Sequence, residues 1–419
     1  MARTNRGVGH HFGYSSLLIT ELQRQRGLVV IDTHPVQYRA PLYRKLQQSF
    51  RIPVTAIYGS NFSVMGYQDK EFQATFAWDI DLLSGYTSIF LSRAHQGGAD
   101  SFEKISARGL RNVLQKVNPT VVLLTGYASI FHQVAFLQVC WSRYPILFRA
   151  DTADHALKRN WMKTWLRDSA LRFFYSRCTK LLYIGRRSHE HFKRLSCPQK
   201  KLIFSPYCID TTVFLYGEKD RLQARSTTRK NLNIPEDERV ILFSGKLIPR
   251  KAPDLLLASI MQLPAQIRQK IVVIFMGDGE LKGELQKRTE QLSIQARFVG
   301  FQNQTALSRY YHAADLFVLP SRSEVWGIVV NEALHHGVPC IVSDSVGSAP
   351  DLIEPGITGE IFETDSPESL ILAIQRAFSL VGRLEIREKC RKKVQDYTIE
   401  RAVEGIARAY NEVVQDYGR

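Results

Sequence analysis

Two open parallel α/β sheets, one in each half of the chain, are predicted by its length, by short apolar runs alternating with helical stretches, and by a restart of that alternation after a polar segment. At 419 residues the chain exceeds the size at which one core keeps growing, so two domains of roughly 200 residues are expected. With 44% hydrophobic and 23% charged residues it can furnish both cores.

In chain order, buried strands are expected at GLVVIDT (27–33), RIPVTAIYG (51–59), TVVLLT (120–125), YPILFRAD (144–151), KLLYIG (180–185) and KLIFSP (201–206). The segment 217–238, GEKDRLQARSTTRKNLNIPEDE, is predominantly polar. Beyond it follow RVILFSGK, IVVIFMGDG, ARFVGF, DLFVLPS, PCIVSD and GEIFE. This divides the chain into a loose extension (1–26), a first lobe (27–210), a second lobe (211–395) and a C-terminal segment (396–419). Apolar residues from Ile399 to Tyr417 recur with helical period, so the last segment is expected to form a helix packing back toward the first lobe.

The uncharged run 117–141 is long enough for a membrane span. Pro119, Gly126, His132 and two glutamines argue instead for a buried strand, a glycine switch and a half-buried helix. The first 26 residues lack a signal-peptide core and cleavage site. Six cysteines without a CxxC pair suggest neither disulfides nor zinc, which fits a reducing, cytoplasmic setting.

The net charge of +16 is concentrated: 155–201 holds thirteen Lys or Arg against Asp168 and Glu190. Such a field attracts polyanions or anionic headgroups. Trp161, Trp165, Leu166, Phe173 and Phe174 are interleaved with it, as in an amphipathic helix resting on its own domain or on a membrane surface. No nucleic-acid-binding motif accompanies the charge, so no specific nucleic-acid partner is expected.

Parallel sheets bind ligands at the carboxyl ends of their strands, and the second lobe places unusual residues there. After RVILFS come Gly245 and Lys246, then Lys251 at the start of a helix; two ammonium groups flanking one loop can face a diphosphate. Gly277 and Gly279 of FMGDGEL lie between strand and helix, where backbone amides can hold phosphate. Neither lobe opens with GxGxxG, which removes the main support for a nicotinamide-dependent oxidoreductase. In SEVWGIVVNEALHHG, Glu324, Trp326 and Gly327 precede a helix that carries Glu332. A carboxylate accepts from vicinal hydroxyls, so two at this spacing can hold two sugar rings across a diphosphate. The plain alternatives are surface lysines, a tight turn, and ion pairs to Arg322 or His335.

GKLIPRKAPDLLL, FMGDGEL, FVGF, the run 310–344 and GITGEIF resemble the donor-binding half of retaining glycosyltransferases of the GT4 class, over roughly residues 238–363. The resemblance implies a GT-B fold, two Rossmann-like lobes facing across a cleft. It implies that Lys251 is the phosphate-binding lysine, with Lys246 where arginine is more usual. Glu324 would meet donor-sugar hydroxyls, Glu332 the nucleotide ribose, and amides near Trp326 and Gly327 the sugar or phosphate. The first lobe is similar to a subgroup with YRxPLY after the first strand, which puts His34, Tyr38, Arg39, Arg149 and Asp151 on the acceptor or sugar side; an Arg149–Asp151 ion pair is the alternative.

The implied reaction moves a sugar from a nucleotide diphosphate sugar to a glycan, lipid-linked or small-molecule acceptor. It proceeds by front-face attack, without cofactor or metal; the acidic DID at 79–81 falls in the other lobe. An enzyme touching anionic membrane through 155–201 is expected at the inner face of the cell membrane. The alternatives are a sugar-nucleotide epimerase of the same fold, a non-catalytic sugar-binding protein, and a basic polyanion- or membrane-binding protein.

Overall fold

The computed structural model describes residues 26–69, 74–76, 78–93, 105–152, 154, 160–215 and 217–417. The expected extension, apart from Arg26, and residues 155–159 of the basic stretch lie outside the described residues.

The first lobe is a seven-stranded parallel sheet of β1 (Leu28–Asp32), β2 (Val54–Tyr58), β5 (Thr87–Phe90), β6 (Val121–Leu124), β7 (Ile146–Phe148), β8 (Lys180–Tyr183) and β9 (Leu202–Phe204). Its order is β5-β2-β1-β6-β7-β8-β9, and a short antiparallel hairpin, β3 (Tyr67–Asp69) with β4 (Ala74–Phe76), stands beside it. β1 and β2 are buried at every residue, as strands covered on both faces must be. Edge strand β5, half-buried and rich in Thr and Ser, lacks the apolar run that marks the others, and so escaped the sequence pattern.

Helices α1 (Ala40–Phe50), α2 (Leu110–Val117), α3 (Ile130–Trp141), α4 (Trp161–Arg177) and α5 (Arg186–Arg194) fill the crossovers. Side-chain caps start two of them: Ser129 accepts from the His132 amide at 3.3 Å, and Asn160 from the Lys163 amide at 2.9 Å. α2 to α5 cover one face of the sheet. α1 shares the other with the last helix of the chain, α13 (Ile399–Tyr417), whose Ala402, Val403 and Ile406 join the same core as Leu28 and Val30.

The second lobe is a six-stranded parallel sheet in the order β12-β11-β10-β13-β14-β15. Its strands are β10 (Arg239–Ser244), β11 (Ile271–Met276), β12 (Gln295–Gly300), β13 (Leu316–Leu319), β14 (Cys340–Ser343) and β15 (Gly359–Phe362). The polar segment at the junction contains helix α6 (Glu218–Asn231). Its charge hid it, because ion pairs seat it as much as apolar contacts. Arg229, fully buried, and Arg225 both reach Asp315 at 2.8 Å and the carbonyls that end helix α9 (Leu307–Ala313). The other helices longer than one turn are α7 (Pro253–Met261), α8 (Lys282–Gln291), α10 (Ile328–His335), α11 (Pro367–Ala377) and α12 (Leu384–Lys393).

The carboxyl ends of both sheets face a cleft, closed at its rims by polar contacts. Asp79, of the DID element, accepts from the Thr305 hydroxyl and amide at 2.5 and 3.2 Å. The Arg186 amide donates to Asp351 at 2.9 Å. No described helix is long and apolar enough to cross a membrane.

Candidate active site

At the end of β10 the chain enters the loop Gly245 to Lys251, whose last three residues form a tight helical turn before α7. The loop after β11 packs on it backbone to backbone. A Cβ on Gly277 would lie 1.9 Å from the Gly245 carbonyl oxygen, and one on Gly279 2.6 Å from that of Leu247. Both residues also hold φ near +150°, so only glycine fits there. The space beside Gly245 itself is open.

Lys251 is ion-paired through Nζ to Glu324, which arrives from the end of β13, and each side chain is 14% exposed. Arg322 leaves both glutamates alone: it binds Asp365 at 2.6 Å and Asp254 at 3.2 Å. Arg250 donates to the Ser323 carbonyl at 3.1 Å, which ties the two loops together. Lys246 is half-buried on the same loop.

From Glu324 the chain turns through Gly327, at φ 88°, into α10, whose amino end no side chain caps. Trp326 points its indole away from the loop: Nε1 donates to Asn331 at 2.9 Å, and the ring packs against Tyr207 and Tyr397. A Cβ on Gly185 of the first lobe would meet this ring at 2.4 Å, so the indole fills the seam between lobes. Buried polar atoms without partners, Ser321 Oγ, Asn331 Nδ2 and Ser348 Oγ, gather around the same segment.

Glu332 lies in the second turn of α10, buried, and accepts from the Tyr311 hydroxyl at 2.7 Å. Burial pushes its carboxyl up to about 7, against the lowering effect of Tyr311. His336, with Nδ1 2.7 Å from the Glu332 carbonyl, stacks on Tyr311. Glu332 lines a crevice together with Gln37, Tyr38, Asp210, Gln304 and Ile328, so both lobes and the junction contribute to it.

On the first lobe, Arg39 closes back on Asp32 at the end of β1 with contacts of 2.7 and 2.8 Å. Burial would raise the Asp32 carboxyl, but Arg39 outweighs it and holds the group below its usual range. His34 and His132 stand in the same cluster, each pushed down to about 4 by burial. Tyr38 packs edge-on to Tyr207. Arg149 does not pair with Asp151. Its guanidinium is buried and donates to the Ser205 hydroxyl at 2.9 Å and to the Pro206 carbonyl, which ties the end of β7 to the chain leaving β9. Asp151 reaches solvent in the cleft between crowded walls, and that crowding raises its carboxyl. Arg39 and Arg149 oppose the rise, and Glu324 of the other lobe adds to it.

The structure thus brings Gly245, Lys251, Glu324 and Gly327 together in the second lobe, with Asp151 across the cleft. Glu332 occupies the adjoining crevice. Asp32, His132, Tyr311, Gln304 and Asp210 were not singled out from sequence. Of these, only Asp32, an acid closing an apolar strand, carried a local signal.

Residues 224–397 match the model of a family described as Glycosyl transferases group 1. Among curated proteins the chain is similar to the D-inositol 3-phosphate glycosyltransferase of Nocardioides sp., 34% identical over 172 residues, 37% of each chain. The protein of that name from Mycobacterium tuberculosis is 31% identical over 216 residues, 50% of this chain and 43% of that one. The chain spans less than half the length of these curated relatives. Among solved structures, sucrose-phosphate synthase from Thermosynechococcus elongatus superposes with a TM-score of 0.70 at 17% identity, covering 93% of this chain and all of that one. Anabaena HepE in complex with UDP and glucose gives 0.68 at 14% identity, over 92% of this chain and all of that one. At such identities these two establish the fold alone, GT-B.

Proposed function

From the premise of a GT-B fold whose second lobe carries a group 1 glycosyl transferase domain, we propose that this protein moves a glycosyl group from a nucleotide diphosphate sugar to an acceptor hydroxyl. Retention at the anomeric carbon and independence of divalent metal belong to the proposal. So does a glycan or lipid-linked acceptor met at the inner face of the cell membrane.

The observation that carries it is the Lys251–Glu324 pair beside an open glycine loop and an uncapped helix terminus. Without donor the two side chains neutralise each other. An entering donor offers each a better partner: the diphosphate takes the Lys251 ammonium, with Lys246 close by, and the sugar hydroxyls take Glu324. The first amides of α10 add positive potential where the leaving diphosphate gains charge. Glu332, ionised, accepts from the ribose hydroxyls. As the bond from the anomeric carbon to the diphosphate oxygen breaks, the acceptor oxygen bonds to that carbon on the same face. Its proton passes to a phosphate oxygen of the leaving group.

Metal independence rests on the donor set. The carboxylates near the inferred diphosphate are taken up by cations, Glu324 by Lys251, Asp254 by Arg322 and Asp278 by Lys282 at 2.7 Å. Among the described residues no group of three His, Cys, Asp or Glu could hold a metal ion.

The test begins with nucleotide sugars screened for a rise in melting temperature, followed by the stereochemistry of products formed with excess EDTA. Transfer with retention in EDTA is expected. Inversion, a requirement for restored Mg²⁺ or Mn²⁺, or conversion of the nucleotide sugar without acceptor would each overturn the corresponding part. Glu324→Gln should fold normally and transfer poorly; normal transfer would remove its role.

A further inference from the structure

We propose that the outer face of α3 and α4 is a docking surface for an anionic lipid bilayer, set beside the mouth of the cleft. Of the fourteen exposed large hydrophobic side chains among the described residues, eight lie on these two helices. Trp141, Trp161 and Trp165 are 79%, 78% and 64% exposed. Leu137 and Trp141 form a stripe on α3, and Trp161, Trp165 and Phe173 face outward from α4. The helices adjoin, with Phe136 and Phe174 ring to ring at 4.3 Å beneath the surface. α4 is apolar on both sides: Leu171, Phe174 and Tyr175 enter the core while the tryptophans stay outside. Such a helix needs a second apolar or interfacial contact.

Charge selects the occupant. Helices α2 to α4 carry Lys or Arg at 111, 116, 163, 167, 172 and 177. Their one acid, Asp168, is buried and paired with Arg167 and Arg194. Arg111 lies over the Trp141 ring at 5.8 Å. A second copy related by a two-fold axis would set these cations against one another, whereas an anionic surface meets them with opposite charge, and tryptophan favours the headgroup level. α3 follows the end of β6, and α4 runs back to the start of β8, so the amino ends of both helices lie on the cleft side of the sheet. Docking therefore brings the cleft mouth to the headgroups, where a lipid-borne acceptor is at hand. That consequence rests on the transferase reading; the docking itself does not.

The experiment is co-sedimentation and brominated-lipid quenching of tryptophan fluorescence. The full chain is mixed with vesicles of 30% phosphatidylglycerol in phosphatidylcholine, or phosphatidylcholine alone, at low and high salt. Binding to the anionic vesicles, quenching, and release by salt are expected. Trp161→Ser with Trp165→Ser, and separately Arg172→Glu, should weaken binding about tenfold or more without lowering the melting temperature. No binding at low salt, equal binding by both variants, or a dimer in sedimentation velocity that the tryptophan variant abolishes would overturn the proposal. Donor binding, followed in parallel by thermal shift, tests the transferase reading separately. Vesicle binding with no donor bound would sink that reading and leave the docking surface standing.

Discussion

At the carboxyl ends of the second sheet the backbone makes much of the site. Glycines at 245, 277 and 327 hold φ values of 144°, 148° and 88°, and one helix terminus is left uncapped. At the corresponding ends of the first sheet, side chains are tied into the lobe itself: Asp32 with Arg39, Arg149 with the chain leaving β9 at 205–206. A backbone-built site presents amides and open space to a ligand. A side-chain cluster closed on itself spends its groups on the fold. The same polar residue type therefore means different things on the two sides, and substitutions should separate them.

The largest effect is expected at Asp32. Asp32→Ala leaves the half-buried Arg39 guanidinium without its partner, which costs about 3 kcal/mol, the lower end of the penalty for breaking a buried pair. Urea unfolding checks this; a loss below about 1 kcal/mol would mean that the pair stands ready for a ligand instead. Lys251→Ala should do the opposite, with little change in melting temperature and about 100-fold lower kcat/KM, close to 3 kcal/mol of transition-state stabilisation. A variant that fails to fold would move Lys251 to the structural side.

Glu332 belongs to both classes, and pH exposes it. Its folded carboxyl titrates at about 7 against an ordinary 4.5, so the stability it contributes is full below pH 4.5 and lost as pH rises through 7. Glu332→Gln removes that loss and should stabilise the ligand-free protein at pH 8 by up to about 3 kcal/mol. It should also weaken donor binding, and wild-type donor affinity should rise between pH 6 and 8. Denaturation and calorimetry at the two pH values check both signs; pH-independent stability would show that the carboxyl ionises in the folded protein as readily as in the unfolded chain. The smallest effect is expected at the rim. Asp79→Ala removes the Thr305 contacts between lobes, worth about 1 kcal/mol, and should widen the solution scattering envelope rather than alter chemistry.

The same contrast explains what could be read from sequence. Strands β1 and β10 announced themselves as unbroken apolar runs, and Gly245 to Lys251 and Glu324 to Glu332 are contiguous motifs whose spacing states their geometry. Tyr311 lies 21 residues from the Glu332 it binds, on a different helix, and nothing local connects them. Arg149 follows the end of a strand, as cleft residues do, but the Ser205 that its guanidinium meets lies 56 residues on, and nothing local connects them. Helix α6 was hidden because buried arginine–aspartate pairs replace part of the apolar face that a periodic pattern detects.

Helix α13 follows the whole second lobe in the chain, yet it covers the first lobe's sheet face, built from β1 onward. On the ribosome the first lobe emerges early but stays unfinished, with Leu28 and Val30 short of their cover until residues 399–417 appear. The second lobe, contiguous in sequence from β10 to α12, can fold in the meantime. Completion of the first lobe thus waits on residues that follow the second lobe in the chain. The interval exposes apolar strand surface for the time needed to make about 200 residues, some 10–40 s at ordinary elongation rates, a window in which a chaperone has something to bind.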